Sequence, residues 1–201
     1  MAINLVKGGK LDLSKEAPTL KNALIGLGWD SNVFDTGSAF DLDATAFALA
    51  ANGKCASEQD VIFYGGPIKN ADGTVDHTSH AIKYMGDNKT GDGDGDDEQI
   101  IVNLDNVPDN IDRIVFTVTI YDAETRGQNF GQISNAYIRL VNNDTGEEIC
   151  RYDLGEEFSI ETAVVFAELY RYNGSWKFNA IGSGFQGGLA ALCHQYGVET
   201  Q

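Results

Sequence analysis

Arg113-Ile-Val-Phe-Thr-Val-Thr-Ile-Tyr121 alternates with a period of two residues. Ile114, Phe116, Val118 and Ile120 fall on one face, and Val115, Thr117 and Thr119 on the other. A helix would need apolar residues every three to four positions, so this spacing predicts a strand with a strongly apolar face. The same reading extends outward to Phe40–Leu49, Ile100–Leu104, Ala136–Val141, Glu148–Leu154 and Trp176–Ile181, with Leu24–Trp29 and Val61–Tyr64 completing the set. Thr162–Tyr172 is long and apolar, and its Val164, Val165, Phe166, Tyr170 and Tyr172 favour strand over helix. Between the runs stand Asn52-Gly53, Asp72-Gly73, Asn142-Asn-Asp-Thr-Gly146 and Asn173-Gly174. Such pairs supply the positive φ angles of tight hairpin turns. The expected fold class is therefore all-β: a two-sheet β-sandwich with a few short helices and a C-terminal helix. That last helix is read at Leu189–Tyr196, stopped by Gly197, and a short helical turn is expected near Ala123–Phe130. No linker, repeat or composition break divides residues 1–201, so one domain is expected.

The chain of 201 residues carries 14 Lys and Arg against 30 Asp and Glu, a formal charge of −16. That balance argues against nucleic acid and anionic membrane as direct partners, since both require basic patches. Cys55, Cys150 and Cys193 are far apart in sequence and form no C-x-x-C pair, which argues against a disulfide framework or a cysteine zinc site. The first ten residues do not read as a secretory signal, and no apolar run approaches the ~18 residues of a membrane span. The expectation is a cytoplasmic protein with no direct membrane insertion.

The acids are concentrated in Gly86-Asp-Asn-Lys-Thr-Gly-Asp-Gly-Asp-Gly-Asp-Asp-Glu98. From Asp87 to Glu98 there are six acids and one base, a local charge of −5. Two carboxylates 4 Å apart repel by about 1 kcal/mol in water and about 4 kcal/mol near a protein surface. Converging carboxylates therefore call for a cation. Hard oxygen donors on a glycine-rich loop suit Ca²⁺, with its six to eight ligands, better than the strictly octahedral Mg²⁺. The competing reading is a solvated acidic turn. The EF-hand template does not fit, because Asp97 stands where the template needs glycine and Asn103 where it needs glutamate. Phe40-Asp-Leu-Asp-Ala44 adds a second signal. In a strand Asp41 and Asp43 share one face, opposite Phe40, Leu42 and Ala44. Asp30, which follows Gly28-Trp29, is placed to join them.

Taken together, Gly26-Leu-Gly-Trp-Asp30, Phe40–Ala44 and Gly86–Glu98 resemble the signature of the TerD family of tellurite-resistance and stress proteins. The resemblance continues through Thr119-Ile-Tyr-Asp-Ala123, Phe130-Gly-Gln-Ile-Ser134, Glu168-Leu-Tyr-Arg171, Trp176-Lys-Phe178 and Gly187-Gly-Leu-Ala190. It implies a calcium-binding sandwich with paired Ca²⁺ sites, two ions per chain, and a stress-response role in the tellurite, phage and chemical-stress resistance system without a catalytic step. It also implies partners among other Ter-type stress proteins, including a membrane-embedded one. Carried to matching positions, the ligands it implies are Asp30, Asp41, Asp43, Asp87, Asn88, Asp92, Asp94, Asp96, Asp97 and Glu98. The family pattern often has glutamate where Asp92 stands. The expected function is a non-enzymatic, Ca²⁺-dependent sensor or assembly module. The alternative is a Ca²⁺-dependent module for membrane or carbohydrate.

Other signals are discounted. Gly182-Ser-Gly-Phe-Gln-Gly187 matches a dinucleotide fingerprint, but no acid can follow about 20 residues on. His77 and His80 lack further nitrogen or sulfur donors and read as a polar loop. The acidic loop should repel the tellurite anion, and nothing near the three thiols in sequence lowers their pKa.

Overall fold

Residues 2–31, 40–86 and 95–199 are described by the structure, a computed structural model. Their strands are β1 (Ile3–Leu5), β2 (Lys10–Asp12), β3 (Asn22–Ser31), β4 (Leu42–Leu49), β5 (Val61–Ile62), β6 (Ile68–Lys69), β7 (Val75–Asp76), β8 (Ile82–Tyr84), β9 (Glu98–Asn103), β10 (Arg113–Ile120), β11 (Ile133–Asn142), β12 (Glu147–Asp153), β13 (Ala163–Tyr172) and β14 (Ser175–Phe185). Three α-helices accompany them: α1 (Leu13–Glu16), α2 (Ala123–Arg126) and α3 (Gly188–Gln195). One sheet has eight strands in the order β1-β12-β11-β3-β9-β8-β7-β6, and the other has six in the order β2-β14-β13-β10-β4-β5. The N-terminal segment serves both. β1 pairs in parallel with β12, and β2 pairs antiparallel with β14.

The alternation read from the sequence sets the core. Ile114, Phe116, Val118 and Ile120 point between the sheets, where they meet Ala23, Ile25 and Leu27 of β3 and Ile100 and Val102 of β9. The long apolar segment Thr162–Tyr172 forms strand β13, hydrogen-bonded to β10 on one side and β14 on the other. Asn173 and Gly174 both have positive φ, 52° and 76°, and close the two-residue β13–β14 hairpin from Tyr172 to Ser175. The sequence had not marked β1, β2 or the two- and three-residue strands β6, β7 and β8. They are too short to show a period; β1 and β2 pair with distant strands, whereas β6, β7 and β8 pair with their sequence neighbours.

The other face of β10 is also buried, which alternation alone did not foretell. Val115, with Phe47, Leu49 and Val165, forms a second apolar cluster capped by Leu192 and Cys193 of α3. The Tyr196 ring packs on Phe47 at 4.8 Å between centroids. A sheet buried on both faces reads as a near-continuous apolar run, as Ala163–Leu169 does. Leu192 is fully buried in this cluster. Leu192→Ala is therefore expected to lower stability by about 2–4 kcal/mol, as core Leu→Ala changes do; urea denaturation with an unchanged m-value would verify it.

Candidate functional site

β3 supplies one wall of the acidic end. Its odd-numbered residues Ala23, Ile25, Leu27 and Trp29 enter the core, so Gly26, Gly28 and Asp30 lie on the outer face. Gly26 pairs with Gln99 of β9 and Arg139 of β11, and Gly28 pairs with Tyr137. A Cβ at Gly26 would overlap the Asp96 carboxylate, and one at Gly28 would overlap the Tyr137 ring. The two glycines thus open a trough in which the loop's C-terminal root lies against the sheet.

Asp96 fills that trough. Its side chain is fully buried. Oδ1 accepts from Arg139 Nε at 2.7 Å and Tyr137 Oη at 3.0 Å; Oδ2 accepts from Arg139 Nη2 and Gln99 Nε2, each at 3.0 Å. An ionised carboxylate offers about four lone-pair sites, so the chain's own donors already fill this one. Arg139 also donates to Glu148 at 3.0 Å, and Arg151 stacks on Tyr137 at 3.6 Å. The carboxylates beside Arg139 hold its guanidinium protonated well above its ordinary range. Burial, and then the charge of Asp96, push the Tyr137 phenol up to about 12.

The next two acids turn the other way. Asp97 Oδ2 accepts from the Trp29 N–H at 2.8 Å, and its own N–H donates to Leu27 at 2.8 Å. Glu98 is almost fully buried and heads the inward row Glu98, Ile100, Val102. Its Oε1 accepts from Tyr84 Oη at 2.7 Å, and its Oε2 accepts from the Ala44 N–H. β5 opposes β4 only at Ala46 and Phe47, so Ala44 lies past the end of that edge strand. Glu98 reaches from the eight-stranded sheet to supply the acceptor that β5 does not.

Asp41 and Asp43 stand at the start of β4. Asp43 is buried opposite Thr119 of β10, on the side away from Leu42 and Ala44. The Asp41 carbonyl accepts from the Tyr121 N–H at 2.8 Å. Its carboxylate Oδ1 is buried with no hydrogen-bond partner among the described residues. Asp30 is exposed at the end of β3, where its Oδ2 accepts from Asn135 Nδ2 at 2.7 Å. Of the ten acids and amides marked in the sequence, the structure thus brings Asp96, Asp97 and Glu98 against β3 and β4. Asp87, Asn88, Asp92 and Asp94 lie outside the described residues, and among those described no three His, Cys, Asp or Glu side chains converge as a metal-holding group.

Sequence reasoning missed Arg139, Tyr137, Gln99 and Tyr84. Arg139 and Tyr137 sit on a distant strand, Tyr84 on β8 and Gln99 three residues from Asp96, and the available signal was Gly26-x-Gly28 facing Tyr137-x-Arg139. His77, a discounted ligand, is buried and packed between Ser79 Oγ at 2.7 Å and Asp60 Oδ1 at 3.1 Å. Burial pushes the Cys55 and Cys150 thiols up to about 12 and raises that of Cys193. All three are therefore thiols rather than nucleophilic thiolates at neutral pH.

Three comparisons with known proteins bear on the chain. The TerD domain model matches residues 1–196. Over 200 residues spanning the whole of both chains, the sequence is 56% identical to Tellurium resistance protein TerD of an Alcaligenes species and 55% identical to General stress protein 16U of Bacillus subtilis. A crystal structure of a homologue of telluride resistance protein (TerD) from Streptomyces coelicolor superposes with a TM-score of 0.69 at 22% identity, covering 90% of this chain and 99% of that one. At that identity the likeness speaks for the two-sheet fold alone.

Two expectations follow from the Asp96 network. Arg139→Ala leaves a buried carboxylate without its cation and should cost about 3 kcal/mol. In a double-mutant cycle with Asp96→Ala the losses should be strongly non-additive, measured by chemical denaturation. The Tyr137 phenol ionises near 10 when unfolded and near 12 when folded, so its contribution is full below pH ~10 and is lost as pH rises toward ~12. Stability measured from pH 9 to pH 12 should fall less steeply in Tyr137→Phe than in the parent.

Proposed function

The chain belongs to the TerD family, whose members include tellurium-resistance and general stress proteins, and we propose that it serves that response as a non-enzymatic, Ca²⁺-dependent sensor or assembly module. The observation that carries the reading is the Asp41 Oδ1 atom, buried at the start of β4 without a hydrogen-bond partner among the described residues. A buried carboxylate oxygen left unmatched is costly, and a cation is the partner that suits it. The donor chemistry also fits. The marked residues offer only oxygen ligands, the preference of a hard divalent ion. Because the chain's own donors saturate Asp96 and engage Asp97 and Glu98, the residues assigned to hold the ions are Asp30, Asp41 and Asp43 with Asp87, Asn88, Asp92 and Asp94.

The bound cation would supply positive charge that offsets the mutual repulsion of these carboxylates. The chain does the rest. Arg139 and the Trp29 N–H fix the loop's C-terminal root, so an ion would draw the loop acids toward an anchored wall. Glu98 ties that wall to Ala44, one residue from Asp43, and any ordering at the loop would reach the start of β4 directly. Among the described residues no helix is long and apolar enough to cross a membrane.

Calorimetric titration of chelator-treated protein, with Mg²⁺ as competitor, should give about two Ca²⁺ per chain, with a dissociation constant of roughly 10⁻⁷ to 10⁻⁵ M for cytosolic sensing. Asp41→Asn should weaken at least one site about tenfold, whereas Asp96→Asn should lower stability more than Ca²⁺ affinity. Absence of binding, or equal preference for Mg²⁺, would sink the proposal.

A further inference from the structure

Around the N-terminus of α3 the outer side of the six-stranded sheet carries two cavities that share Leu189. The larger, about 830 Å³, is floored by Asp43 and Thr119 and bordered by Tyr64, Tyr121 and Ile160. The smaller, about 440 Å³, is lined by Val61, Phe63, Pro67 and Val198. Tyr64, Tyr121 and Ile160 are 39%, 49% and 58% exposed. Tyr121 and Ile160, each about half exposed beside one cavity, mark an interaction surface rather than scattered exposure. The lining charge is acidic, with the Arg126 guanidinium at its border over the Tyr121 ring. Asp43, Asp122 and Glu124 line the first cavity and Glu58 and Glu199 the second, and among the described lining residues none is Lys or Arg. Asp122 adds a further peculiarity. It is the N-cap residue of α2, yet its side chain makes no capping hydrogen bond and its backbone is left-handed, with φ 50°. Aspartate is among the residues that adopt this region readily, and Asp122 is one of those that line the larger cavity.

We infer that this groove docks a segment of a partner protein in which Lys or Arg residues flank apolar ones. The apolar residues would pack on Tyr121, Ile160 and Leu189, and the cations would meet Asp122, Glu124, Glu58 and Glu199, with Asp43 left to the proposed ion site. The Tyr121 ring already carries the Arg126 guanidinium at 5.2 Å, so the partner's cations are assigned to the carboxylates rather than to that ring. A second copy of this chain is a poor occupant, because each copy carries −16 and the groove itself is acidic. An anionic lipid surface is disfavoured for the same reason.

A fluorescein-labelled peptide of alternating leucine and lysine tests the inference by anisotropy, with a leucine–glutamate peptide and spermidine as controls. Saturable binding of the lysine peptide, undisturbed by either control, is expected. Glu124→Lys and Glu58→Lys should each weaken it about fivefold or more, whereas Glu147→Lys on the other sheet should change it by less than about twofold. The exposed double change Tyr121→Ser with Ile160→Ser should abolish it while leaving the circular dichroism spectrum intact. Equal weakening by Glu147→Lys would overturn the inference by reducing it to general attraction to an acidic protein. Competition by spermidine alone would overturn it in favour of a bare cation site, and dimerisation lost in Glu124→Lys would overturn it in favour of a second copy. The titration is run in chelator and in Ca²⁺. Binding in either supports the groove, failure in both overturns it, and neither result alters the Ca²⁺ stoichiometry measured separately.

Discussion

Three consecutive carboxylates cannot be packed against a sheet unless each finds donors, and Asp96, Asp97 and Glu98 do so in three directions. Asp96 takes the guanidinium of Arg139 on the outer face of the eight-stranded sheet. Asp97 takes the Trp29 backbone within the sheet. Glu98 crosses the interior to the Ala44 backbone of the other sheet. Desolvating charges is expensive, and removing one partner from such a pair costs more than the pair contributes when intact. The acidic end therefore depends on these donors for its position, and the loop acids that precede them start from a fixed root.

The same end explains why β3 carries glycines where a strand disfavours them. Glycine weakens a strand by leaving nothing to pack. At Gly26 and Gly28 that loss is offset, because Asp96 and Tyr137 occupy the space that side chains would have taken. Tyr137 in turn supports Arg151, so the outer face is a continuous polar sheet covering rather than a row of isolated side chains. On the far side of the molecule the equivalent face of the six-stranded sheet is closed by α3 with apolar contacts. The two sheets thus solve the same problem, an outer face that must be covered, by opposite chemistry.

Much of this was legible in the residues. The period-two alternation of Arg113–Tyr121 placed the strand and its core-facing row, and Asn173-Gly174 placed the hairpin. The family resemblance marked the acidic segment, and the TerD domain match across residues 1–196 agrees with it. What stayed hidden was partnership. Nothing in Gly86–Glu98 distinguishes an acid that Arg139 will neutralise from one left for a cation, because Arg139 lies 43 positions from Asp96 in the chain.

By itself, then, the sequence determined the strand pattern, the turns, the charge of −16 and the family, since these are properties of neighbouring residues or of the whole composition. Tertiary structure alone decided that Asp96 is an internal counter-ion, that Glu98 is a clasp between sheets, that Asp41 keeps a buried oxygen unmatched, and that α3 seals one sheet and leaves an acidic apolar groove beside it. Those outcomes depend on which strands become neighbours, and pairing between residues far apart in the chain is fixed by burial and hydrogen-bond satisfaction across the completed sandwich, not by any local pattern.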